Sequence, residues 1–288
     1  MIKLREKLDQ NKLLPIYLFS KLRIYKERVR LSLYPDSNLN KYDGLTDKEY
    51  FLTEELNLSE TYQLIFRVDL KDFGYIVDGY EELWREKDDG GLGKLHFQID
   101  KVDYRERKVR LNGSLFGNSE DLDSKAAADI EIFGLKAADL TDLKLYQELL
   151  LEGYLLEIEK SYRMAFFSYF TAIEAYVSET LESIKENLFP ELHEPLENLQ
   201  LDHKVRIIAR DSLKTNDLNS IKFWGEFAGL LRDLKNKRNN IAHGKSKEVI
   251  SIEVVNDCFA CLLVLISFSE YGKKTLEEIR QLAYPKII

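Results

Sequence analysis

The sequence predicts an α+β protein, with a β-rich α+β domain over residues 1–140 followed by an all-α helical bundle over residues 141–288. Three observations predict it. Several short segments before residue 135 alternate apolar and polar residues, the period of a half-buried strand. Beyond about residue 141 the apolar residues recur every three or four positions, the period of a helix. The change of period falls between residues 135 and 145, and no internal repeat bridges it.

Leu4 to Leu13 reads as a short helix. Val29, Leu31 and Leu33 alternate with charged neighbours, and Leu64, Phe66, Val68 and Leu70 do the same across Tyr62 to Leu70. Each run is a strand with one face turned to a core. Asp78 to Glu86 reads as a second short helix. Asp88-Asp89-Gly90-Gly91-Leu92-Gly93 is a turn-rich loop that lacks the full dinucleotide-binding fingerprint and its strand-then-helix setting. Leu95 to Ile99 and Val109 to Phe116 alternate on either side of the polar Asp103–Arg107, the pattern of an antiparallel hairpin. His96 then falls on the solvent side of its strand, next to an inward Phe97. Ala128 to Phe133 adds another strand. Tyr75, Tyr80 and Trp84 belong to the core or to a recognition pocket.

In the second half, Leu143, Tyr146, Leu149, Leu150 and Leu156 space out a helix over Asp142 to Glu159. Phe166, Phe170, Ile173, Val177, Leu181 and Ile184 form the apolar stripe of a long helix from Tyr162 to Leu188, which Pro190 and Pro195 end. Shorter helices follow over His203–Leu213 and from Lys222 to Asn239 or a little beyond. Glu253 to Tyr271 is a buried helix broken by Gly272, and Thr275 opens a last one that runs to Ala283. Five or six helices joined by short loops make a bundle.

With 288 residues, 44% of them hydrophobic and 32% charged, the chain can bury a core and stay soluble. The N-terminus is too charged for a secretory signal. The longest apolar run, eleven residues from Cys258 to Phe268, is shorter than a membrane span needs. A cytoplasmic protein without a membrane partner is expected. The two cysteines, Cys258 and Cys261, have a Cys-x-x-Cys spacing but no second ligand pair for zinc. In an apolar helix they read as small hydrophobic residues. No metal and no cofactor are expected.

The net charge of −8 argues against a general coater of nucleic acid. Its distribution says more. Residues 232–247 hold six basic residues (Arg232, Lys235, Lys237, Arg238, Lys245, Lys247) and the single acid Asp233, so a local +5 leaves −13 for the rest. A basic island on an acidic body suggests one localised anion site.

Inside that island the chain reads Arg238-Asn239-Asn240-Ile241-Ala242-His243-Gly244, at the end of a helix. An imidazole exchanges protons with a ribose hydroxyl near neutral pH, and a guanidinium holds a phosphate or its developing charge. Positions five apart on a helix differ by about 140°, so Arg238 and His243 do not share a face of a continuous helix. Gly244 is a natural cap that ends the helix near His243, and the last turn is expected to bring both side chains toward one cleft. Glu174, an acid within a largely apolar helix, either pairs with Arg238 across the bundle or faces solvent. Lys235, Lys237, Lys245 and Lys247 are candidate contacts to a nucleic-acid backbone. His193 and His203 have no partners at a telling spacing.

Arginine, a polar residue, three further residues and then histidine, closing the penultimate long helix of a C-terminal bundle, resembles the HEPN superfamily over residues 141–285. The resemblance implies that Arg238, Asn239 and His243 are catalytic. It implies a metal-independent endoribonuclease that cuts RNA, tRNA among the possible substrates, by attack of the 2′-hydroxyl. It also implies a homodimer through the bundle, with the motifs of both subunits meeting in a shared groove. The two-domain layout resembles the Apea-like HEPN proteins of bacterial abortive-infection defence, which implies a restrained enzyme released by a phage-derived trigger at the N-terminal domain. Some of these ribonucleases carry a modifiable tyrosine two positions after the histidine. This chain has Lys245 there, which disfavours silencing by that route. The alternative is a HEPN-like module that binds RNA or nucleotide, or dimerises, without cutting. A third reading is a small-molecule or peptide receptor centred on the N-terminal domain.

Overall fold

The computed structural model describes residues 12–20, 23–32, 48–77, 80–82, 95–117, 125–136, 138, 143–245 and 249–283. It is a mixed α and β protein that divides into two compact units. One spans residues 22–142; the other joins residues 1–21 to residues 143–288.

The first unit is built from strands. β1 (Arg23–Ser32), β2 (Lys48–Asn57), β3 (Tyr62–Val77), β4 (Tyr80–Glu82), β5 (Leu95–Asp103), β6 (Lys108–Gly117) and β7 (Lys125–Lys136) form two antiparallel sheets. Their orders are β1-β7-β3-β4 and β2-β6-β5. Residues of both sheets share one core, with Tyr62, Ile65 and Val68 of β3, Ala128, Ile130 and Ile132 of β7, Phe97 of β5, and Val109 and Leu111 of β6. Arg23 at the entry of the unit lies opposite Gly134 near its exit.

The β5–β6 hairpin forms as its alternation predicts, with Asp103 facing Lys108 and Arg107 in the left-handed region at φ 54°. His96 is exposed and Phe97 buried, also as the alternation predicts. Two expectations need correction, and one strand had not been foreseen. Tyr80–Glu82 is a strand paired with Tyr75–Val77, not part of a helix, and residues 83–86 lie outside the described residues. An Asp-Gly dipeptide between two pairing segments is a hairpin signal that the helical reading passed over. β2 had no forecast. Its run of Tyr50, Phe51 and Leu52 beside glutamates lacks alternation, and pairing with β6 along its whole length sets its conformation. Tyr75 falls on β3, whereas Trp84 and the glycine-rich loop lie outside the described residues.

The second correction concerns the unit to which the first residues belong. Residues 4–11, the main part of the forecast helix, lie outside the described residues. A helix, α1, runs from Leu13 to Ser20, with Pro15 in its first turn, where a proline is tolerated. It belongs to the helical unit, not to the β-rich domain that residues 1–140 were expected to form. Ile16 and Phe19 are buried, and Phe19 O accepts a 2.7 Å hydrogen bond from Gln147 Nε2. Lys12, just before α1, donates to both oxygens of Glu157 at 2.7 Å.

The rest of the helical unit comprises α2 (Leu145–Ile158), α3 (Tyr162–Lys185), the short α4 (His193–Glu197), α5 (Leu201–Leu213), α6 (Trp224–Ala242), α7 (Ile252–Tyr271) and α8 (Leu276–Ala283). α7 is the central column, packed against α3, α5, α6 and α8. Every residue from Cys258 to Phe268 is at most 1% exposed, which is why the segment is apolar on all faces. At 20 residues the helix is longer than its eleven-residue apolar run suggests. It is long and apolar enough to cross a membrane, and 72% of its most apolar window is buried inside the protein. Both cysteines are fully buried, and burial pushes both thiol pKa values up. They serve as core residues. α8 opens with a reciprocal cap in which Glu278 N donates to Thr275 Oγ1 and Thr275 N donates to Glu278 Oε2.

Candidate functional site

The motif closes α6. The helix stops where Gly244 takes φ 67°, a conformation that costs glycine little. Lys245 N donates to Asn240 O at 2.8 Å and Gly244 N to Ile241 O at 3.0 Å. Those two bonds define a Schellman cap. His243 is the C-cap residue, and its own N–H still bonds Asn239 O. Its ring is therefore held at the solvent edge of the last turn. The side chain is exposed and makes no hydrogen bond among the described residues.

Arg238 lies a turn earlier, on the side of α6 that faces α3. Its guanidinium reaches Glu174 of α3, Nη2 to Oε2 at 3.4 Å, and its Nη1 donates to Asn239 Oδ1 at 3.2 Å. The guanidinium carbon sits 6.0 Å from the ring centre of Phe170, one turn before Glu174 on α3. Arginine, asparagine and glutamate thus form one cluster, backed by an aromatic ring that the sequence had placed only in the apolar stripe of α3. Burial raises the Glu174 carboxyl above the ordinary range, and the Arg238 charge opposes that rise. Both side chains are about one-third exposed, so the pair remains open to a ligand from solvent.

The structure brings Arg238, Asn239 and Glu174 together. Among the described residues, no hydrogen bond joins the His243 side chain to them; only its backbone N–H reaches Asn239 O. α6 is continuous through Ala242, so the angular offset between Arg238 and His243 persists, and the last turn does not cancel it as expected. Within one chain, the imidazole and the guanidinium leave the same helix end in different directions.

The lysines divide. Lys235 Nζ is committed to the start of α5, bonding Gln200 Oε1 at 3.1 Å and Asp202 Oδ1 at 3.2 Å. Burial works against the Asp202 carboxylate, but the Lys235 hydrogen bond and a backbone N–H outweigh it and hold its pKa below the ordinary value. Lys235 is therefore a strut between α5 and α6 before it is a ligand contact. Lys237 is partly buried and Lys245 exposed, and Lys247 lies outside the described residues.

No family model, curated protein or solved structure matches this chain. The chemistry must be read from the site. It offers a cation preorganised by a carboxylate and an amide, an exposed imidazole, and a helix end that carries both. Such a set suits an anionic ester whose cleavage needs proton transfer. Among the described residues, no cluster of three or more histidine, cysteine or acidic side chains could hold a metal ion.

Proposed function

We propose that the chain is an endoribonuclease of HEPN type, cutting RNA without a metal ion. The observation that carries the proposal is the Arg238–Glu174–Asn239 cluster, held one turn before an exposed His243 at a capped helix end. His243 takes the proton from a ribose 2′-hydroxyl. The 2′-oxygen attacks phosphorus, and Arg238 balances the charge that builds on the phosphoryl oxygens. The P–O5′ bond breaks, and the leaving oxygen takes up a proton. The products are a 2′,3′-cyclic phosphate and a 5′-hydroxyl. Glu174 and Asn239 are positioning residues that keep the guanidinium oriented.

One chain presents its histidine and its arginine in different directions. The reading therefore includes a homodimer through the helical unit, so that the arginine of one copy serves the histidine of the other. The HEPN resemblance extends it to a cytoplasmic effector of antiphage abortive infection, with tRNA among the substrates and the β unit as the place where a phage component acts.

One observation favours a second reading, a module that binds RNA or nucleotide without cutting. His243 has no hydrogen-bonding partner to set its tautomer among the described residues, whereas a catalytic imidazole is commonly oriented by one.

Purified wild type and His243→Ala, incubated with total RNA and tRNA in EDTA, separate the two readings. Cutting by wild type only, leaving cyclic or 3′-phosphate ends, is the expected result. Equal cutting by both proteins would place the activity elsewhere, and binding without cutting by either would favour the second reading.

A further inference from the structure

Beside the lysines around the motif stands a second set of cations, three arginines of α5 and α6. Arg206 and Arg210 of α5 and Arg232 of α6 are exposed, and their side chains make no ion pair or hydrogen bond among the described residues. At about 100° per residue, His203, Arg206 and Arg210 lie within roughly 60° of one another on α5. On α6, Arg232, Lys235, Asn239 and His243 lie within roughly 80°.

The Lys235 strut shows how these two stripes meet. It ties α6 to Gln200 and Asp202 at the start of α5. Residues 214–223 connect the end of α5 to the start of α6, so the two helices run antiparallel. Asp202, Arg206 and Arg210 follow one another along the α5 edge that borders α6. Arg232 lies one turn before Lys235 on the facing edge. The acids of the pair are placed apart. Asp202 is neutralised by Lys235. Asp211, Asp233 and Glu226 lie about 100° or more around their helices from the nearest of these arginines.

We infer that the α5–α6 seam is a track for the phosphate backbone of single-stranded RNA, with Arg206, Arg210 and Arg232 as its contacts and His243 at its end. The inference rests on the ribonuclease reading and supplies its substrate path. From His243 back to Lys235, and on from Asp202 to Arg210, the track covers about 24 Å, enough for several nucleotides. Arg206 and Arg210 are about 6 Å apart along the axis, comparable with the step between successive phosphates of an extended strand. Exposed arginines without protein partners can each take a phosphate through two N–H groups. Duplex RNA fits this narrow line of contacts less well than a single strand with its bases turned outward.

The test uses the full chain carrying His243→Ala, so that RNA stays intact, and a fluorescein-labelled single-stranded RNA oligonucleotide. Anisotropy titrations at several salt concentrations compare it with the same protein carrying Arg206→Ala, Arg210→Ala and Arg232→Ala. A control carries Lys204→Ala and Lys273→Ala, two cations away from the seam. Binding should weaken at least about tenfold in the arginine variant, its log–log salt slope should fall by about 2, and the control should bind as the parent does. Unchanged binding in the arginine variant, or an equal loss in the control, overturns the track. Cleavage by the protein with native His243 is scored separately. If His243-dependent cutting survives with unaltered RNA affinity in the arginine variant, the track is wrong and the nuclease stands. Arginine-dependent binding without cutting keeps the track and overturns the nuclease. Neither binding nor cutting overturns both.

Discussion

At the scale of single residues, Glu174 sets the character of the site. Its carboxyl is raised by burial in spite of the Arg238 charge. A group whose folded pKa is raised contributes stability that is fully present below its unfolded pKa and is lost as pH rises through the folded value. Glu174→Gln removes that dependence. The melting temperature of wild type relative to Glu174→Gln should therefore improve as pH is lowered from 7 toward 4, and a flat difference would remove the burial argument. The pair is a third exposed, so near pH 7 the variant should cost no more than about 1 kcal/mol. Cleavage, by contrast, should fall at least about tenfold, because the guanidinium loses its orientation where charge develops. The arginine and histidine of this site were legible because their types and spacing are unusual. Glu174, an acid in an apolar helix, could be read either as a partner of Arg238 or as a solvent-facing group; the structure shows the pairing, a contact across 64 positions that spacing alone could not decide. Arg206 and Arg210 were not legible at all. Their meaning depends on the Lys235 strut, and pairing with Asp202 is a fact of packing.

At the scale of elements, the end of α6 contrasts with its beginning. Gly225 and Gly229 sit inside the helix with open space where a side chain would go. Replacing either with alanine should raise stability by about 0.5–1 kcal/mol, because alanine is the better helix former and the less flexible unfolded residue. Gly244 also has open space around it, but its φ of 67° makes the same change unfavourable. Gly244→Ala should lose about 1 kcal/mol and loosen the turn that carries His243. Thermal melts of the three variants check the opposite signs. Periodicity succeeded for elements whose neighbours agree with their local preference. The β5–β6 hairpin alternates cleanly, and α8 announces itself by Thr275 and Glu278. It failed where pairing overrides preference, as in β2. It also left out α1, whose eight residues are nearly all apolar and show no helical period.

At the scale of the whole molecule, the helical unit is assembled from two separated pieces of chain. Lys12 joins them, with a side chain only 4% exposed against a Glu157 that is 14% exposed. Tyr169 donates a third hydrogen bond to that carboxylate, and burial holds the phenol well above its ordinary pKa. Lys12→Met strands a buried carboxylate and should cost about 3–5 kcal/mol in denaturant unfolding followed by helical signal. Adding Glu157→Leu should recover most of that loss, because the penalty lies in the unpaired charge. The division into an alternating half and a helical half was readable from the change of period. The return of α1 to the second half was not, because eight residues carry too little pattern to name a partner more than 120 positions away.

The pairing of Arg23 with Gly134 gives the β unit a thermodynamic role of its own. Seating α1 against α2 in an otherwise unfolded chain would close a loop of more than a hundred residues, at an entropic cost of about 4 kcal/mol from length. Once the β unit has folded, its entry and exit are hydrogen-bonded neighbours, and most of that cost has already been met. The strands act as a clasp that shortens the chain between the two pieces of the bundle. Weakening the β core far from any helix, for example by Ile130→Ala, should therefore release α1. Increased amide exchange in α1, with no change in α7, would record the clasp coming undone.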